Sequence, residues 1–211
     1  MKLGFYIIRH GLSCGNIIYH PDINLVPLNS FYRDPYLTEK GVEQSKKCKI
    51  YIKNKLPKMD IVLSSSLIRA IETALCMFPD NIVEVAPYIC ESVKTLENIP
   101  HDYKVQSKRL HEKVKNNDRV KHCTGKKGLH ESNLKSFIKY LLDNYCVEDK
   151  EIAVVTHSNF MMKILGVKER MRNNSIYKII VDTDTYLVDD YKCIFSGYTM
   201  PKSASLSMSF R

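Results

Sequence analysis

Four short apolar runs, each ending in a polar residue, constrain this chain more than any other feature. Phe5-Tyr6-Ile7-Ile8 runs into Arg9-His10-Gly11, and Asp60-Ile61-Val62-Leu63 into Ser64-Ser65-Ser66 and then Arg69. Ile82-Val83-Glu84-Val85 leads toward Glu91, and Ile152-Ala153-Val154-Val155-Thr156 into His157. Short β-branched runs bounded by polar or turn residues read as buried strands. In an open α/β sheet, ligands bind beyond the carboxyl ends of the strands. If these runs are neighbouring parallel strands, two histidines, two arginines and a carboxylate converge on one spot. That set suits phosphoryl transfer through a histidine.

The stretches between the runs read as helices. Thr38 is placed as the N-cap of a helix running toward Leu56, with Pro57 as its stop. Ser65 or Ser66 is placed to cap a second helix holding Leu67, Ile68, Ile71, Leu75 and Met77. Arg69 then falls in its first turn, where amides and a positive helix end favour an anion. His130 to Tyr145 carries the amphipathic stripe Leu134, Phe137, Ile138, Leu141, Leu142 and Tyr145. Asn159 to Leu165 reads as a short helix closed by Gly166. Two final strands are predicted, Tyr177 to Val181 and Thr185 to Val188, and then a loose Ser-rich tail from Ser203 to Arg211.

With 211 residues, 44% of them hydrophobic, the chain suits a single domain with a substantial core. The segment 101–128 stands apart: it is basic, polar and poor in apolar residues, and reads as an insertion or lid. The net charge of +9 favours anionic partners without choosing among them. The basic segment lacks the interleaved aromatics of a nucleic-acid surface, so a solvated lid is the expectation. Seven cysteines, an odd number with no Cys-x-x-Cys pair, point to reduced thiols and a cytoplasmic protein. No apolar stretch is long enough to span a bilayer, so no membrane partner is expected. Interface and core residues look alike in one sequence, so the oligomeric state, a homodimer included, stays open.

Each candidate residue has a chemical reason. A neutral imidazole at His10 can attack phosphorus, splitting hydrolysis into two easier steps. Its other ring nitrogen must donate to something fixed. Gly11 lets the backbone turn sharply and approach a phosphate. Arg9 and Arg69 can each bind two phosphoryl oxygens in a fork, and His157 can donate to a third. Ser13 and Asn16 can add neutral donors. Glu91 is the candidate general acid for the leaving alkoxide. Glu97 competes for that role but is read as a surface charge. No His-x-x-x-His or Asp-rich spacing appears, so neither a metal nor another cofactor is expected.

The chain resembles the histidine phosphatase superfamily, the phosphoglycerate mutase-like enzymes. Arg9-His10-Gly11-Leu12-Ser13-Cys14-Gly15-Asn16 matches the family's R-H-G-x-S-x-x-N signature. Leu37-Thr38-x-x-Gly41-x-x-Gln44, Ser65-x-Leu67-x-Arg69-Ala70-x-x-Thr73-Ala74 and Val154-Val155-Thr156-His157 match the later motifs in family order. The resemblance implies a three-layer α/β/α sandwich around a mostly parallel sheet, with a variable basic insertion. It also implies His10 as nucleophile, a phosphate pocket of Arg9, Arg69 and His157, and a metal-free mechanism. Two departures stand out. The last motif continues with Ser158-Asn159 where the family usually has Gly, a change that could narrow the pocket or add a donor and that bears on the substrate class. The tryptophan-rich mutase segment after Asn16 is absent.

The leading expectation is therefore a metal-independent phosphomonoesterase acting on an anionic phosphorylated small molecule or phosphopeptide. The alternatives are a mutase-like isomerase, which uses the same residues, and a phosphate-binding protein without turnover. A binder would not need both His10 and Glu91.

Overall fold

A computed structural model describes residues 1–18, 32–91, 95–114, 118–122 and 127–199. The Ser-rich tail predicted from the sequence lies outside them. Seven strands form one sheet in the order β4-β3-β2-β5-β1-β6-β7. They are β1 (Lys2–Arg9), β2 (Ile61–Ser64), β3 (Val83–Val85), β4 (Val120–Lys121), β5 (Ile152–Thr156), β6 (Ile176–Asp182) and β7 (Val188–Phe195). The first five run parallel, and β6 and β7 add an antiparallel hairpin to β1. The helices are α1 (Cys14–Ile18), α2 (Glu39–Lys55), α3 (Ile68–Met77), α4 (Tyr103–Val114), α5 (Leu134–Asn144) and α6 (Ser158–Leu165).

The side-chain period of two sorts the core into two layers. Leu3, Phe5 and Ile7 of β1, with Ile152 and Val154 of β5, pack against Phe137, Ile138 and Leu141 of α5 and Phe160 and Met161 of α6. Tyr6, Ile8, Ala153 and Val155 point the other way, onto Cys48 and Ile52 of α2, Ile68, Ile71 and Leu75 of α3, and Leu110 of α4. The result is the three-layer sandwich that the resemblance implies. Each Leu, Ile or Phe buried in this way contributes about 2 kcal/mol relative to leaving it in water.

Local signals explain most element ends. The Thr38 side chain accepts from Gly41 N, and Gly166 closes α6 in the left-handed region at φ 66°. The cap of α3 differs from the sequence expectation. Its N-cap is Leu67, not a serine, and the Ile68 amide donates to the Asp34 carboxylate at 2.9 Å. The last strand also differs: the turn spans 183–187 and β7 starts only at Val188. Its residues are largely exposed, so no burial pattern marked them.

The basic segment 101–128 supplies α4 and the edge strand β4. Leu110 of α4 is fully buried, and the Gln106 side chain donates to Asp34 Oδ2 and to the Ser66 carbonyl, each at 2.8 Å. No helix among the described residues is long and apolar enough to cross a membrane.

Candidate active site

The three central strands β2, β5 and β1 end side by side, and each ends at a site residue. His10 N donates to the Thr156 carbonyl at 2.9 Å, and Ser65 N to the Val155 carbonyl at 2.9 Å. The parallel ladder thus continues one residue past the strands and fixes the backbone of His10 and Ser65 on either side of the strand that ends just before His157. The His10 and His157 rings lie 5.1 Å apart between centroids. Both are buried, His157 completely.

The ring of His10 is held by its neighbour. Its Nδ1 lies 2.7 Å from the Gly11 carbonyl oxygen. A carbonyl only accepts, so Nδ1 carries the proton and Nε2 keeps its lone pair. The Gly11 amide donates to Thr73 Oγ1 at 2.9 Å, and Thr73 in turn donates to the Arg69 carbonyl at 2.7 Å. The Gly11 N–H is therefore engaged within the protein. Gly11 is needed for close packing instead: a Cβ there would fall 2.7 Å from Ser45 Oγ of α2. Asn173 closes the loop from the other side, its Nδ2 bonding to the carbonyls of His10 and Gly11 and to Asn16 Oδ1, each at 3.0 Å.

Both arginines are nearly buried and are anchored. Arg9 Nη1 donates to the Met171 carbonyl, while its Nε is buried with no partner among the described residues. Arg69 Nη1 donates to the Glu97 carbonyl at 3.0 Å and Nη2 to Asn98 Oδ1 at 2.6 Å. The end of α3 differs from the anion site expected there, because the Asp34 carboxylate already occupies it. The phosphate-binding potential of that helix start rests on the Arg69 side chain.

Burial and positive neighbours set the protonation of the histidines. Burial, then Arg69, then Arg9 hold His10 well below the ordinary imidazole range. Burial, Arg69, His10 and Arg9 do the same to His157. Both rings are neutral at pH 7. Arg9 is lowered to about 10, by burial first and then by Arg170, with Glu91 partly offsetting them.

A cleft of about 180 Å³ opens over His10. Arg9, Arg69, Glu91, Ser13, Asn16 and Ser158, all predicted from the sequence, line it. Asn16 has its Oδ1 engaged by Ser13 N and Asn173, so the group it can offer an anion is its Nδ2 amide. Ser158 Oγ accepts from Met171 N at 3.2 Å and contacts Met162 Sδ at 3.6 Å. Glu97, read from sequence as a surface charge, also lines the cleft, from a 3-10 turn at Leu96–Asn98. Asn159, noted from sequence as part of the departure in the last motif, lines it too, and so do Asn98 and Arg170, which sequence reasoning missed. They sit in loops or just past a motif, where no periodicity marks a residue. Among the described residues, no group of three or more His, Cys, Asp and Glu side chains is placed to hold a metal ion.

Comparison with known proteins agrees with this fold. The family model described as histidine phosphatase superfamily (branch 1) matches residues 5–188. No curated protein matches significantly in sequence. Among solved structures, phosphoserine phosphatase from Entamoeba histolytica, in complex with 3-phosphoglyceric acid, is similar with a TM-score of 0.53 and 20% identity, over 89% of this chain and 95% of that one. Ecdysone phosphate phosphatase from Bombix mori, in complex with tungstate, gives a TM-score of 0.62 at 13% identity, over 95% and 96% of the two chains. A mycobacterial glucosyl-3-phosphoglycerate phosphatase gives 0.55 at 14%, over 93% and 100%. At these identities the likeness is one of fold.

Proposed function

Because the chain belongs to the histidine phosphatase superfamily (branch 1), we propose that it hydrolyses phosphomonoesters through a covalent phosphohistidine on His10. The observation that carries the reading is the His10 ring itself. Its Nδ1 is tied to the Gly11 carbonyl at 2.7 Å, and burial beside two arginines keeps it neutral.

In the first step, the Nε2 lone pair attacks phosphorus and the ester P–O bond breaks. Charge on the transferring oxygens is met by Arg9, Arg69 and the Nδ1–H of His157, groups fixed before substrate arrives. Ser13, Asn16 and Ser158 supply neutral contacts around them. The leaving alkoxide takes its proton from the Glu91 carboxyl. In the second step, the same group, now a carboxylate, accepts a proton from the water that attacks phosphohistidine. Phosphate leaves and His10 returns neutral. Guanidiniums and a histidine do the neutralising a metal would otherwise do, so the reaction is metal-independent.

The test is phosphate release from a broad phosphomonoester panel, with and without chelator. Release should survive the chelator and fall by at least about a thousandfold in His10→Ala. Activity retained in that variant, or abolished by chelator, overturns the mechanism.

A further inference from the structure

Among the described residues, the cleft holds one cation that this mechanism does not use. Arg170 lies between α6 and β6 and lines the cleft with Arg9, His10 and Ser158. It is exposed and makes no ion pair among the described residues.

The backbone beside Arg170 is anchored on both sides of one residue, Met171. Met171 N donates to Ser158 Oγ at 3.2 Å, and the Met171 carbonyl accepts from Arg9 Nη1. Met171 itself is buried. Ser158, which stands where the resembled family usually has glycine, thus fixes the residue next to Arg170 rather than merely narrowing the pocket. Arg170 is also near enough to Arg9 to count second only to burial in lowering it. Two guanidiniums facing one cleft repel each other unless an anion joins them.

Position rather than charge count indicates what that anion is. Among the described residues, three guanidiniums, those of Arg9, Arg69 and Arg170, face the cleft with two carboxylates, Glu91 and Glu97, so three positive charges less two negative leave a net +1. Arg9 and Arg69 are the guanidiniums that the mechanism assigns to the phosphoryl oxygens. Arg170 has no part in that step and stands apart in the chain, between α6 and β6, where a second anionic group of the same substrate can meet it.

Building on the phosphomonoesterase reading, we propose that Arg170 is a specificity residue that receives a second oxyanion group of the substrate. That group is a carboxylate or second phosphate a few bonds from the transferred phosphoryl. A guanidinium fork matches either one with two parallel N–H···O bonds. The substrate class is then a compact phosphomonoester with a second negative group, in preference to one with a neutral or cationic tail. Ser158 is the positioning residue for this contact.

The experiment is calorimetric titration at physiological ionic strength of His10→Ala with 2-phosphoglycolate and with ethyl phosphate. Phosphoglycolate should bind at least about tenfold more tightly, the effect of one charge-assisted hydrogen-bonded pair. Adding Arg170→Gln should bring the two ligands to similar affinity and leave ethyl phosphate unchanged. Adding Ser158→Gly should weaken both ligands, because Met171 also anchors Arg9, and should weaken phosphoglycolate the more, so that the preference erodes in part. Equal affinities in His10→Ala, equal losses for both ligands on Arg170→Gln, or no binding of either at millimolar concentration overturns the inference. The catalytic reading fails separately: selective binding with no phosphate release by the intact chain leaves Arg170 in its role and removes turnover.

Discussion

His157 Nε2 lies 2.8 Å from Ser65 Oγ, while its Nδ1 is buried with no partner among the described residues. Ser65 Oγ can donate to Nε2, which leaves Nδ1 as the protonated nitrogen. An unpartnered N–H in a buried ring costs about 1–3 kcal/mol. A bound phosphoryl oxygen would remove that cost.

Ser65→Ala should therefore lower kcat by about tenfold, the loss of one hydrogen bond, with the fold unchanged. The variant leaves both ring nitrogens unfixed, so the proton can sit on the wrong one. Steady-state kinetics with circular dichroism on the same sample checks this; an unchanged kcat removes Ser65 from the arrangement.

The histidines make stability depend on pH in a definite direction. Both are held well below 6.5 in the folded protein. Below about pH 6.5 the unfolded chain binds protons that the folded one refuses, so unfolding is favoured as pH falls. Stability is level above that point and declines beneath it. Melting temperature measured from pH 7.5 to 5 should show this fall, and His157→Asn should flatten it. Because His10 stays neutral, kcat/KM should show no acid limb centred on 6.5.

Two glycines should behave differently. A Cβ at Gly41 would lie 2.1 Å from the Leu12 carbonyl oxygen, on the loop that follows the nucleophile. Gly41→Ala should cost about 2 kcal/mol or more and reduce activity, since backbone must move. Gly166 has φ 66° and nothing within 4 Å of a Cβ, so Gly166→Ala should cost about 1 kcal/mol, from the left-handed conformation alone. Denaturant titration separates the two.

Asp34 is fully buried and accepts from Ile68 N at 2.9 Å, His101 N at 3.0 Å and Gln106 Nε2 at 2.8 Å. Asp34→Ala strands three donors and should destabilise by about 3 kcal/mol or more. It should also raise KM, because the start of α3 carries Arg69. A variant with full stability would contradict this account.

The sequence reveals those parts of the fold whose causes are local. β1 and β5 are continuous apolar runs, Thr38 caps α2 from the adjacent residue, and Gly166 ends α6. The start of α3 departs from the serine cap expected there because the partner of its first amide, Asp34, is remote in sequence. The strand β7 lies later than the expected Thr185 to Val188 because Asp189, Asp190 and Lys192 face water and carry no alternation. The site follows the same rule. His10, Arg9, Arg69, His157 and Glu91 follow strands or open a helix and could be read directly. Glu97, Asn98 and Arg170 reach the cleft through tertiary folding of loops, and no local pattern announces them.

The strand order has a consequence for how the cleft comes into being. β5 lies between β1 and β2, and β6 pairs with β1 on its other side. The strands carrying His10 and Ser65 therefore have no common neighbour until residues 152–156 insert between them. Asn173, which secures the His10 loop, arrives later still. A ribosome-bound chain that has emerged only as far as α5 holds His10, Arg69 and Glu91 but cannot assemble them. Such non-local pairing makes folding slow, and it also delays the cleft itself: its walls come together only after most of the protein has been made.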